Sequence, residues 1–216
     1  MESALSEVDV FDDPKIELEQ IPTSPEIASH MLFIAENSYG DIEGKCVLDL
    51  GCGPGILSIA ASLMGAATVC SIDVDTDALE CAWVNLKKME VENVDLVQAD
   101  VQTLQLQLEK KYDTMICNPP FGTRNAGIDT VFIEKGLSYA NTIYSLHKTS
   151  TREHFVKFCD KRGVLLEVIA ELKYDIPRTF AYHKEDNKDV FVDLLRFSRI
   201  EDNDKAVEQS VESVFT

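Results

Sequence analysis

The stretch KCVLDLGCGPG, Lys45 to Gly55, decides how this chain folds. Its first half is a short apolar run, the pattern of a strand buried on both faces. Its second half sets glycines at 51, 53 and 55, where the backbone can bend sharply and approach a ligand with no Cβ in the way. The next residues, ILSIAASLMGA, are small and apolar at helical spacing and stop near Gly65. Strand, glycine turn and helix in that order open a βαβ unit, and such a turn lies at the carboxyl end of the first strand, where ligands bind. The spacing is GxGxG. It differs from the GxGxxG of dinucleotide folds, and no lysine follows as in a P-loop. Asp49, just before the glycines, suits a cationic ligand, an ammonium or a sulfonium, better than a pyrophosphate. Read alone, the loop leaves a structural glycine turn as the lesser alternative.

Outward from this loop the alternation continues. TVCSID, VDLVQAD and YDTMICN read as strands, with helix TDALECAWVNLKKME between the first two. Helical spacing returns around Thr130 to Ala140, followed by a short strand NTIYSL and a helix TREHFVKFCDKR, with Gly163 at its end. VLLEVIAELKY and DVFVDLLRF close the domain as two long strands joined by a polar link, which predicts an antiparallel hairpin at that edge. The pattern predicts an α/β fold: a seven-stranded, mostly parallel sheet with helices on both faces. Before Lys45, the amphipathic stretch from Pro14 to Tyr39 contains Thr23-Ser24-Pro25-Glu26, a capped helix start with proline in its first turn. Residues 1–12 lack periodicity and are expected to be disordered. Residues 13–200 form one domain, and the acidic tail 201–216 is expected to be disordered.

Composition narrows the function classes. No window approaches the roughly 18 apolar residues of a membrane span, and the acidic start MESALSEVDVFDD is unlike a signal peptide. Six scattered cysteines without a CxxC pair suggest neither a zinc site nor a disulfide framework. They read as buried thiols in an intracellular, reducing compartment. The net charge of −18 is uneven: residues 1–117 carry 6 basic and 22 acidic residues, whereas residues 118–200 carry 13 basic and 11 acidic. A phosphate-bearing partner should approach the second part.

Three further motifs fall at strand ends. Asp73 in SIDVD is placed to accept both ribose hydroxyls of a nucleoside, while Asp75 is the better helix cap. Asp100, closing VQAD, could read adenine together with the Val101 N–H, although an aspartate after a strand is often a turn residue. The fourth strand ends in Asn118-Pro119-Pro120-Phe121. Neither proline can continue a central strand. The Asn118 oxygen and the Pro119 carbonyl are acceptors beside a π-face, a site for a planar amino group such as the N6 of adenine. A rigid turn is the plainer alternative. Cys52 and Cys117 read as buried thiols, since attack at an amino group needs no nucleophile from the protein.

DLGCGPG, SIDVD, QAD and NPPF in this order resemble a Rossmann-like class I S-adenosylmethionine-dependent methyltransferase that modifies amino groups. LEQIPTSPEIASHML, NPPFGTRNAGIDTVF, YSLHKTSTREH and IAELKYDIP narrow the resemblance to the methyltransferase-like protein 5 family, over about residues 13–198. Ile21 and Pro54 depart from residues common there. The resemblance implies N6-methylation of one adenosine in small-subunit (18S) ribosomal RNA, in nucleus and cytoplasm, as a heterodimer with a small zinc-binding activator. Metal would then lie in the partner and none in this chain. It implies that Gln20 and Thr23 close over the cofactor and that Gly51, Gly53, Pro54 and Ile56 line it. Asp73 would hold the ribose, with Asp100 and Val101 on the adenine. Asn118, Pro119, Pro120 and Phe121 would be catalytic. His147, Lys148, Arg152, His154 and Lys157 form the densest basic cluster and are expected to contact RNA phosphates. A protein-glutamine methyltransferase and a non-catalytic cofactor-binding scaffold remain the alternatives.

Overall fold

The computed structural model describes residues 1–107, 111–174 and 190–199. Among these, the strands are β1 Cys46–Leu50, β2 Thr68–Asp73, β3 Val94–Gln98, β4 Tyr112–Cys117, β5 Ala140–Lys148, β6 Val164–Tyr174 and β7 Val190–Arg199. The helices are α1 Glu2–Leu5, α2 Pro25–Asn37, α3 Ile56–Leu63, α4 Thr76–Lys88, α5 Ile128–Tyr139 and α6 Arg152–Asp160, with short 3-10 turns at Ile16–Leu18 and Thr149–Thr151. All seven strands share one sheet in the order β3-β2-β1-β4-β5-β7-β6. β1 to β5 pair in parallel, and β7 runs antiparallel between β5 and β6. The expected mostly parallel sheet with its edge hairpin is therefore present.

The central strands are apolar throughout because both faces are covered. In β1, Val47 packs into one core with Leu5, Met31 and Ile59, from α1, α2 and α3. Leu48 and Leu50 enter the opposite core with Phe132 of α5 and Phe155 and Phe158 of α6. Helix starts follow their caps. The Ser24 hydroxyl accepts from Ile27 N at 3.2 Å, with Pro25 as the first helical residue of α2. Asp75 accepts from Asp77 N at 3.2 Å and caps α4.

The expectation for residues 1–12 is corrected. They are ordered: Glu2–Leu5 is helical, Leu5 is fully buried, and Asp9 exchanges backbone bonds with the Asn85 side chain. A segment this short shows no periodicity, because its order comes from long-range packing and not from local pattern. β5 also exceeds the expected NTIYSL, reaching Lys148 because β7 pairs with it from Thr142 to Lys148. The acidic tail from Glu201 lies outside the described residues.

α5 lies close on the sheet at Gly136. A Cβ there would collide with the Met115 sulfur and meet Ile143 Cδ1 at 2.8 Å. Gly136→Ala should lower stability by about 1–2 kcal/mol, overpacking outweighing the gain in helix propensity. Urea unfolding checks this.

Candidate active site

After β1 the crossovers run outward to β2 and β3, and the chain then returns to β4 on the other side of β1. At such a reversal the carboxyl ends of two neighbouring strands leave a crevice. A cavity opens there with about 1040 Å³ of empty space counted to its open mouth. Its walls include the glycine loop, Asp73 and Val74 after β2, Asp100 to Gln102 after β3, and Asn118 and Pro120 after β4. The Glu17–Thr23 segment before α2 also contributes. The four motifs read separately from the sequence thus meet in one place.

Gly51, Gly53 and Gly55 all hold left-handed backbone, with φ of 72°, 52° and 86°. A Cβ on Gly51 would come within 3.0 Å of Phe132, and one on Gly53 within 3.0 Å of Phe11. The loop is tied to β2 through Gly51 N to the Ile72 carbonyl at 2.7 Å. It is tied again by Gly53 N, which donates to Asp73 Oδ2 at 2.8 Å, while Asp73 Oδ1 accepts from Asp75 N at 2.9 Å. Asp73 is nearly buried, and burial pushes its carboxyl above the usual range against these backbone bonds. Asp100 Oδ1 accepts from Gln102 N at 2.8 Å, so this aspartate shapes its turn as well as lining the cavity.

Asp49 differs from its expected place. It is fully buried behind the loop and is not part of the cavity wall. Its Oδ2 accepts from the Ser58 hydroxyl at 2.6 Å, and its Oδ1 has no partner among the described residues. Burial pushes its carboxyl up to about 7, although the Ser58 bond pulls it down. Any influence on a ligand is through its field.

At the end of β4 the Asn118 amide is fixed in one orientation. Its Nδ2 donates to Thr23 Oγ1 and to the Tyr174 hydroxyl, each at 3.0 Å. The Tyr174 hydroxyl uses its own hydrogen toward the Pro22 carbonyl at 3.3 Å, so it can only accept from Asn118. Asn118 Oδ1 is left buried and without a partner among the described residues, on a side chain that lines the cavity. Such an atom is costly unless a ligand donor meets it. Pro119 is buried. Phe121 stands outside the wall, edge-on to Tyr174 at 5.9 Å, with the Lys148 ammonium 5.7 Å from its ring centre. Cys117 is fully buried and burial pushes its thiol up to about 12; the buried Cys52 thiol is raised as well.

These walls fit S-adenosylmethionine. The glycine cradle leaves space that a Cβ would fill, Asp73 offers further lone pairs for ribose hydroxyls, and Asp100 stands beside Val101 where a purine would lie. Gln20 lines the cavity with its polar atoms engaged: Oε1 accepts from Lys15 N at 2.7 Å and Nε2 donates to Asp75 at 2.7 Å. Thr23 serves the acceptor side through Asn118. Pro54 and Ile56 lie on the cavity wall.

The basic cluster does not survive intact. His147 is buried, with Nε2 against Ser145 Oγ at 2.8 Å. Arg152 is bound to the fully buried Asp193 through Nε and Nη2, both at 2.7 Å, and to Glu171 at 2.8 Å. It ties α6 to β7 and β6, which commits its Nε and Nη2 hydrogens to carboxylates. His154 faces Thr130 at 3.0 Å. Lys157 is exposed, and Lys148 lies at the rim. Sequence reasoning missed Phe11, Tyr174, Phe132 and Arg124. Arg124 is an exposed cation four residues after Pro120, and the GTR following NPPF was the available signal. Nothing local marked Tyr174 as the partner of Asn118.

The methyltransferase small domain family matches residues 26–141. The rRNA N(6)-adenosine-methyltransferase METTL5 of Danio rerio is 48% identical over 200 residues, covering 92% of this chain and 97% of that protein. The Drosophila melanogaster protein of the same description is 47% identical over 200 residues, covering 91% and 94%. Among solved structures, a proposed RNA methyltransferase from Pyrococcus horikoshii superposes with a TM-score of 0.80 at 34% identity, covering 93% of this chain and 97% of its own. Its cavity and its near full-length match to these relatives agree, and the chain belongs to the methyltransferase-like protein 5 family of class I, S-adenosylmethionine-dependent methyltransferases.

Proposed function

We propose that this chain methylates N6 of one adenosine in small-subunit (18S) ribosomal RNA, in nucleus and cytoplasm, as a heterodimer with a small zinc-binding activator protein. The observation that carries the reading is Asn118 Oδ1, an acceptor without a partner in the cavity wall. The relatives described as rRNA N(6)-adenosine-methyltransferases support the RNA substrate. The outer edge of β3, unpaired among the described residues, and the exposed Trp83 and Val84 on α4 offer a strand edge and apolar surface for the activator.

The lone pair of adenine N6 is delocalised into its ring, so the amino group is a poor nucleophile. Asn118 Oδ1 and the Pro119 carbonyl accept its two hydrogens and draw the nitrogen toward tetrahedral geometry, freeing the lone pair. The target base must leave its stack, and Phe121 at the rim is its platform. When bound, S-adenosylmethionine supplies a methyl on a cationic sulfur that leaves readily. Positioning by rigid acceptors does the catalytic work. The methylated nitrogen is acidic enough to lose its proton to water. This agrees with a wall where Asn118 cannot titrate, backed by Tyr174, whose hydroxyl burial pushes up to about 12.

Labelled methyl transfer to small-subunit rRNA, with and without co-expressed activator, tests the reading. Asn118→Ala should cut transfer by roughly a hundredfold or more, with the affinity for S-adenosylhomocysteine nearly unchanged. A silent wild type with activator present, or label on protein and none on RNA, rejects it. Tyr174→Phe should lower kcat by about tenfold, since it removes one of the two acceptors that orient the amide. Arg124→Ala with Lys148→Ala should reduce the slope of log K against log salt by about two. Arg152→Ala should leave that slope alone and lower the urea midpoint of unfolding, because the buried Asp193 loses its cationic partner and keeps only the Thr149 hydroxyl.

A further inference from the structure

Glu19 lies in LEQIPTSPEIASHML on the wall of the cavity and carries none of the roles assigned above. It is one of the non-glycine residues with left-handed backbone, at φ 53°, a conformation that aims its side chain across the cavity mouth toward the loop after NPPF. Its Oε2 accepts from Thr123 N at 3.1 Å and from the Thr123 hydroxyl at 2.7 Å, and its Oε1 accepts from Arg124 N at 2.8 Å. That loop has little else to hold it. Residues 123–127 are exposed, and Gly122 and Gly127 both have positive φ. Burial alone would raise the Glu19 carboxyl, but the bonds from Arg124 and Thr123 outweigh it and keep it below the usual carboxylate range. An ionised acceptor facing three donors is a strong clasp.

The other end of the same segment is anchored on the donor side. Lys15 pairs with Asp75 and Asp77, and Gln20 bonds Asp75, whose backbone N–H is held by Asp73. Hydrogen bonds joined by the peptide link between Gln20 and Glu19 therefore run from the Asp73 carboxylate to the loop that follows Asn118. We propose that Glu19 is a positioning residue that couples occupancy of the donor site to the order of the acceptor loop 118–125. This rests on the reading of the cavity as a methyl-donor site next to an amino-group acceptor. A loop ordered by its donor site makes the enzyme ready for RNA only once the cofactor is in place.

Amide hydrogen exchange on the full chain tests the coupling without any RNA. In wild type, S-adenosylhomocysteine should slow exchange at residues 122–125. In Glu19→Ala, exchange there should rise by about tenfold and the protection by S-adenosylhomocysteine should vanish. Glu19→Gln, which keeps one acceptor oxygen, should fall between, and it carries the test if the alanine variant fails to fold. In the methyl-transfer assay both variants should lose kcat, with the S-adenosylhomocysteine Kd changing by less than about threefold. Unchanged exchange at 122–125, or equal protection in wild type and variants, overturns the proposal. A wild type that orders this loop yet methylates no RNA rejects the assigned substrate and leaves the coupling standing.

Discussion

An amide side chain can offer a ligand its oxygen or its nitrogen, and at Asn118 two hydroxyls make the choice. Thr23 and Tyr174 take both amide hydrogens, and the Pro22 carbonyl removes the freedom of Tyr174 to act as donor. What is left in the cavity wall is an acceptor with no partner of its own. The arrangement of the rest follows from the need to hold that oxygen still beside a donor molecule. The sheet reverses at β1 and β4 so that the glycine loop and NPPF become neighbours, and the segment before α2 closes across both.

Much of this was legible in the chain. The apolar runs, the glycine turn and the capped starts of α2 and α4 are local signals, and each reports local geometry. Asp73, Asp100 and Asn118 could be assigned to one cavity because a parallel sheet puts every strand's carboxyl end on the same edge. What escaped was settled by distance in sequence. Tyr174 reaches Asn118 across 56 residues, and Arg152 finds Asp193 across 41. A basic residue looks the same on paper whether it faces solvent or a buried carboxylate. Asp49 illustrates the converse, a charge placed before the glycines but turned toward Ser58 of α3 and away from the cavity.

The N-terminal residues carry a related lesson. A few residues without periodicity looked dispensable, yet Leu5 is fully buried and Phe11 backs onto Gly53. Gly53 has no Cβ, and its neighbour on that side is a ring from the far start of the chain. The glycine is therefore required twice over, by its left-handed backbone and by the approach of Phe11. Hydrogen bonds from Asp9 to Asn85 keep that ring in register with α4.

The clamp on Asn118 joins the beginning and the end of the fold, since Pro22 and Thr23 precede β1 while Tyr174 closes β6. A ribosome making this chain releases NPPF well before it releases Tyr174. Until the last two strands have docked, the tetrapeptide is present but its amide is free to turn either face to the cavity. Full methyl-transfer activity thus waits on the last strands, whose Tyr174 completes the fixing of the amide.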